Sequence, residues 1–236
     1  MADQSGPSLD LSPKHFILLF VATLGFILFA IIFFAWQTEL RGNNQWFSEA
    51  ILYVMQDYVY GLLMLLGVYV FGIKVAKLSW RDIGFVKCDP DWIIRAVLLG
   101  AMVYGARIWS DALSLTTLDA RRSLEPGITD LAILKEAPQY AEYALVFAVA
   151  VLNPFATEIV QRGILFAWMR RNFNFLMSAI ASAVVFGGLH IQVTRYAQVL
   201  AFGILAAYLY EKSRSLWPSI AFHMTVNSAY LISTLT

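Results

Sequence analysis

This sequence has little charge and almost no cysteine. Charged residues make up 14% of its 236 residues, whereas about a quarter of an ordinary soluble domain is charged. The 17 basic and 16 acidic side chains nearly cancel, so the chain lacks the basic excess of a nucleic-acid-binding protein. Its single cysteine, Cys88, excludes an internal disulfide and a cysteine-based metal cluster.

Long apolar segments take the place of charge, since 59% of the residues are hydrophobic. We predict seven membrane-spanning helices, at about 16–36, 51–73, 92–109, 143–169, 175–190, 196–210 and 217–235. The first apolar segment is longer than the 7–15 residues of a signal-peptide core. We therefore expect it to remain as the first helix.

These segments predict an all-α fold, a polytopic membrane bundle of seven or eight helices. The count is open because the fourth segment exceeds one span and contains Pro154, which kinks or splits a helix. No repeat or linker marks a second domain, so we expect residues 1–236 to form one membrane-embedded unit. Within residues 110–142 we expect short surface helices rather than a further span.

The distribution of lysine and arginine predicts the orientation of the bundle. With seven spans, ten basic residues fall on the side of the N-terminus and six on the opposite side. Basic residues are enriched in cytoplasmic loops. We therefore predict a cytoplasmic N-terminus, in the cytoplasmic membrane of a prokaryote.

Three polar patterns interrupt the apolar segments near the C-terminus. Glu158 and Arg162 share one helix face, as do His223 and Asn227, because residues four apart are neighbours on a helix. His190 follows a Gly-Gly step at the end of the fifth segment. Each pattern alone has a structural explanation: a neutralised ion pair, an interfacial histidine, or an amide that holds helices together. Ionisable groups within membrane spans nevertheless indicate a functional site, and we expect these five side chains to converge on one cavity.

In this order the three patterns resemble the CPBP family of intramembrane proteases, which includes CAAX prenyl proteases and bacteriocin-processing enzymes. The family patterns are Glu-Glu-x-x-x-Arg, Phe-x-x-x-His and His-x-x-x-Asn. This chain matches the last glutamate and the arginine of the first pattern and both residues of the other two, as Glu158, Arg162, Phe186, His190, His223 and Asn227. The resemblance is strong over residues 143–235 and weaker over the helices of residues 16–142.

The resemblance assigns a role to each matching residue. It implies that His190 helps a glutamate to activate water, and that His223 and Asn227 stabilise the oxyanion. Arg162 would orient the carboxylate. The glutamate that the family uses as its catalytic group, however, is Thr157 here.

A threonine hydroxyl cannot serve as a general base near neutral pH. Neighbouring side chains on an α-helix point about 100° apart. Glu158 could therefore replace the missing glutamate only if the helix were distorted, which Pro154 makes conceivable.

Two functions remain open at this point. We favour a degenerate, inactive protease homologue that binds a membrane-associated peptide or a membrane-protein partner within a complex. The alternative is an active glutamic-type intramembrane endopeptidase. Glu158, His190 and His223 could nominally hold zinc, but their spacing matches no zinc-protease signature, and we expect neither metal nor cofactor.

Overall fold

The computed structural model describes residues 7–40, 49–113, 139–188 and 196–235, and the regular structure within these ranges is entirely helical. The predicted all-α class is confirmed. The helices of the described ranges are α1 (Pro13–Leu40), α2 (Glu49–Gly67, continued by a π-helical turn over Val68–Val75), α3 (Pro90–Leu113), α4 (Gln139 to Arg170), α5 (Phe175–Gly188), α6 (Tyr196–Ser213) and α7 (Leu216–Leu235). Most of the segment for which we predicted surface helices lies outside the described residues.

Two helices, α1 and α3, start slightly earlier than the predicted spans, and a polar side chain caps each of them. The Ser12 hydroxyl accepts a hydrogen bond from the His15 backbone N–H at the start of α1. Asp89 does the same for Asp91 at the start of α3. A proline follows each cap, and proline is favoured at the first helical position, where no N–H is needed.

Helix α4 is one continuous helix that contains two π-helical turns. Its successive parts are the α-helical Gln139–Phe147, the π-helical Ala148–Leu152, the α-helical Asn153–Glu158, the π-helical Ile159–Phe166 and the α-helical Ala167–Arg170. Pro154 lies just after the first π turn and does not break the helix. A π turn is closed by i→i+5 hydrogen bonds and inserts an extra residue, so the side chains that follow it are rotated relative to an ideal α-helix.

Three of the described helices contain stretches long and apolar enough to cross a membrane: Val54–Val75, Pro90–Trp109 and Gln139–Arg170. On α3 the apolar side chains of Ile94, Leu98 and Met102 are 58–70% exposed, as expected of a surface that contacts lipid. In contrast, every residue from Ala156 to Ala167 of α4 is buried. Helix α4 is therefore the centre of an integral membrane bundle.

The other helices pack around α4. Helices α2, α5, α6 and α7 contact α4 directly, while α1 packs on α2 and α3 packs on α7. The turn between α2 and α3 folds back beneath the bundle. There Gly84, with φ of +108°, accepts a hydrogen bond from the Leu216 N–H, and the Tyr210 hydroxyl donates to the Ile83 carbonyl.

We predict that Gly163→Ala destabilises the protein, because α4 packs directly on the turn at this glycine. A Cβ atom at Gly163 would lie 2.5 Å from Ile83 Cγ2 and 2.8 Å from the Ile83 carbonyl oxygen. Such overpacking typically costs about 1–3 kcal/mol. The matched control is Gly105→Ala, where no atom lies within 4 Å of the added Cβ. Thermal unfolding in detergent should show a lower Tm for the first variant alone, and equal Tm values would contradict this packing.

Candidate functional site

The centre of the candidate site is the carboxylate of Glu158. Its Oε1 atom accepts a hydrogen bond from Arg162 Nη1 at 3.0 Å and lies 2.8 Å from Nδ1 of His223. Glu158 is 0% exposed, and Arg162 and His223 are 1% and 8% exposed. Burial of a charge is tolerable when a partner neutralises it, so these three side chains form one buried ionic network.

Arg162 connects this network to α5 and α6. Its Nη2 donates to the Gly203 carbonyl at 3.1 Å, and its guanidinium lies 5.3 Å from the ring centre of Phe186. Gly203 permits this contact because a Cβ there would lie 2.7 Å from that of Ala183, so only glycine lets α6 approach α5 so closely. One arginine thereby ties three helices together.

His223 is held by its carboxylate contact and by aromatic rings. An ionised carboxylate only accepts hydrogen bonds, so Nδ1 of His223 is the donor to an ionised Glu158. In the neutral imidazole the other ring nitrogen, Nε2, is then an acceptor. The ring packs edge-on against Phe202 at 4.7 Å and against Phe186 at 6.2 Å. The imidazole therefore has a fixed orientation, with one nitrogen available to accept a proton.

Some polar atoms of the network have no hydrogen-bond partner in the part of the chain that the structure describes. These atoms are Glu158 Oε2 and Arg162 Nε, and the neighbouring Gln161 Oε1 shares this property. Buried groups of this kind are normally satisfied by ordered water. The network accordingly has residual hydrogen-bonding capacity beyond its own contacts.

Asn227 makes a different contact, one turn further along α7. Its Nδ2 donates to the Val149 carbonyl at 2.9 Å. The Asn153 N–H bonds to the Ala148 carbonyl, five residues back, so the Val149 carbonyl is aligned with the position of Pro154, which has no N–H. Neighbouring helices commonly satisfy backbone groups that a membrane proline leaves without a partner. Asn227 therefore compensates for Pro154.

Thr157 points away from this network. Its hydroxyl lies 4.0 Å from the sulfur of Met64 on α2, whereas Glu158 faces α7. The distortion that sequence reasoning required for Glu158 to replace the missing glutamate is present, because π turns lie on both sides of residues 153–158. The retained carboxylate contacts His223, but it does so while bound to Arg162.

The structure thus brings only some of the predicted site residues together. Glu158, Arg162 and His223 are in direct contact, and Asn227 lies one helical turn from His223 and contacts α4. His190 lies outside the described residues, so its convergence with the others stays a prediction. The nominal zinc site included His190; among the described residues, no group of three potential metal ligands occurs.

Sequence reasoning missed two elements of the site. The first is the Phe202-Gly203 pair, which supplies an aromatic ring beside His223 and a carbonyl for Arg162. A glycine within an apolar segment is a weak signal of close helix packing. The second is the contact of Asp57 on α2 with Asn153, at 3.2 Å from Nδ2 to Oδ1. The position of Asp57 within a span was its only signal.

Comparison with known proteins supports the resemblance found in the motifs. Residues 139–229 match the family model described as type II CAAX prenyl endopeptidase Rce1-like. This region includes all the predicted site residues. Over these residues the chain is similar to the Rce1-like CAAX protease family.

One curated relative comes from Bacillus subtilis (strain 168), where it is called "Putative membrane peptidase YdiL". It is 26% identical to this chain over 91 residues, which are 39% of this chain and 37% of the relative. The aligned region therefore spans little more than a third of that protein. No solved structure matches the chain.

We predict that Arg162→Met strongly destabilises this Rce1-like bundle, because it leaves the buried Glu158 carboxylate without its cation. Breaking a buried pair by removing one partner typically costs about 3–5 kcal/mol. The control is Arg171→Met, which removes the exposed contact of Arg171 with Asp10 and should cost about 0–1 kcal/mol. Unfolding in detergent measures both values, and similar small losses would show that the Arg162 pair does not stabilise the fold.

The contact between Asn227 and the Val149 carbonyl predicts energetic coupling between Asn227 and Pro154. Asn227→Leu should cost about 1 kcal/mol, within the range of interhelical hydrogen bonds in membrane proteins. Pro154→Ala restores a backbone N–H, so Asn227→Leu should cost less in that background. A double-mutant cycle of unfolding free energies measures this coupling, and strictly additive values would refute the compensation.

Proposed function

We propose that this protein, which is similar to the Rce1-like CAAX protease family over residues 139–229, recognises a membrane-associated peptide or protein segment and does not hydrolyse it by that family's usual route. The observation that carries the proposal is the arrangement of the adjacent residues Thr157 and Glu158. Thr157 supplies no titratable group and packs on Met64. Glu158 is wholly buried and bonded to both Arg162 and His223.

A wholly buried carboxylate that is bonded to an arginine and a histidine is poorly suited to act as a general base. It must reach the proton that it abstracts, directly or through one water, and the Glu158 side chain has no exposed surface. Its Oε1 atom already accepts two contacts. The network instead resembles a buried polar cluster whose contacts hold neighbouring helices together. A bundle held together in this way can act as a binding subunit of a membrane complex.

Hydrolysis is the second candidate function, and the contact between Glu158 and His223 favours it. A carboxylate that holds Nδ1 of an imidazole leaves Nε2 as an acceptor. Pairs of this kind serve as general bases in many hydrolases. In this alternative His223 would take a proton from water, with Glu158 orienting its ring, and the name of the Bacillus relative is consistent with peptidase chemistry.

The location that we propose for the protein rests on its class and on its basic residues. An integral membrane protein with ten basic residues on one side and six on the other is expected to keep the more basic side in the cytoplasm. We accordingly place the N-terminus in the cytoplasm. The curated relative is bacterial, which supports the cytoplasmic membrane of a prokaryote.

We predict that Thr157→Glu brings peptidase activity to a protein that otherwise has little. A general base typically contributes about 10²–10⁴-fold, and the substitution adds the carboxylate at the family's position. Suitable probes are a prenylated peptide ending in a CAAX motif, the substrate class that the family description names, and a membrane-spanning peptide without a prenyl group. Cleavage is followed by mass spectrometry with the full chain reconstituted in liposomes.

Thr157→Gln is the matched control, because glutamine has the size of glutamate without its charge. It should remain as inactive as the native chain. Native activity that survives Thr157→Ala and disappears in Glu158→Gln would instead establish the second candidate. Elution profiles in detergent show whether each variant is folded.

A further inference from the structure

Asp57 is a carboxylate inside the bundle, and the proposed binding function described above assigns it no role. On α2 the exposed apolar residues lie along one side; they are Met55, Leu62, Leu66 and Tyr69. At 100° per residue, Asp57 falls on the opposite side, together with the buried Gly61, Met64 and Val68. Asp57 is therefore directed towards α4 and not towards lipid, and it is only partly buried.

Asn153 fixes the position of this carboxylate. Its Nδ2 donates to Asp57 Oδ1 at 3.2 Å. Its Oδ1 fits against Gly61, where an added Cβ would lie only 2.7 Å away. The amide is thus held in a slot between α2 and α4, and it presents one N–H to the Asp57 carboxylate.

Asp57 lies close to the place that the missing catalytic glutamate would occupy. Asn153 is four residues before Thr157, so both residues share the face of α4 that packs on α2. Side chains on a helix lean towards its N-terminus and cover the preceding turn. A longer side chain at residue 157 would therefore extend over Asn153, where the Asp57 carboxylate is bound. A carboxyl group is therefore present in this region although residue 157 is threonine.

The Asp57 carboxyl group has no cationic partner in the described part of the chain. The carboxylates that form ion pairs there are those of Glu158, Glu211 and Asp10. The one hydrogen bond described for Asp57 comes from the uncharged side-chain amide of Asn153. An ionised group within a membrane span is expensive unless it is paired. A ligand that brings a cation to this place would remove that cost.

We propose that Asp57 is the anchor for a basic side chain, lysine or arginine, of the membrane-associated segment that this protein binds. The proposal rests on the proposed recognition function and specifies the chemistry of the bound segment. Asn153 orients the carboxylate for the contact. Gly61 keeps α2 close enough to α4 for the side chain of Asn153 to reach the Asp57 carboxylate.

The test measures the binding of defined peptides to the full chain reconstituted in liposomes. The probes are a labelled leucine-rich membrane-spanning peptide with one lysine and the same peptide with glutamine in its place, each prepared with the substitution at successive depths. Energy transfer to a labelled protein reports binding. At the matching depth, the native chain should bind the lysine peptide at least about tenfold more tightly, as expected for a partly desolvated charge pair.

Substitutions at Asp57 should change this preference in a defined way. Asp57→Asn keeps the shape of the side chain and should bind both peptides equally. Asp57→Lys should prefer a peptide that carries glutamate. The control Asp91→Asn removes an exposed carboxylate at the start of α3 and should leave the preference unchanged.

The remaining outcomes separate the two proposals. If the native chain binds both peptides equally well and Asp57→Asn has no effect, the anchor is wrong although recognition stands. If the native chain binds no peptide at any depth, the recognition function itself is wrong. Unfolding temperatures of the Asp57 variants, if they match the native value, exclude misfolding as the cause of a lost preference.

Discussion

The structure depends on the burial of one charge pair, Glu158 and Arg162, in the middle of a membrane bundle. Neither ion can be placed in an apolar interior without partners. Arg162 finds its second partner in the backbone of α6 and Glu158 finds one in α7. The requirement to neutralise two side chains on α4 therefore fixes where two neighbouring helices lie. The small residues and aromatic rings around the pair make that close approach possible.

Helix α4 itself is shaped by a second constraint, the proline near its centre. Pro154 cannot donate to the helix, and the chain responds with a π turn before it and an interhelical hydrogen bond from Asn227. A further π turn follows Glu158. The site and the distortion are thus one feature, because the irregular backbone lies where other helices contact α4 and can satisfy it.

Sequence reasoning predicted the all-α class and placed Glu158 and Arg162 on one helix face, since both follow from apolar segment length and from spacing along a helix. It also singled out His223, which contacts the pair. It did not predict that Asn227 would bond to a backbone carbonyl, because the π turn that aligns this carbonyl with Pro154 leaves no mark in the pattern of side chains. The same turns change the direction in which the side chains of α4 point. The contact of Asp57 with Asn153 could therefore not be predicted from the sequence either.

The network also explains why the fold can keep its motifs when residue 157 is threonine. Arg162, Glu158 and His223 bond to one another without a contribution from Thr157, which lies on a different face against Met64. Loss of a glutamate there removes a reactive group but no partner of the network. The retained arginine and histidine are needed for the stability of a buried carboxylate, whether or not anything is hydrolysed. Their presence is therefore weak support for catalysis. The residue that distinguishes the two functions is residue 157, which contributes nothing to the network.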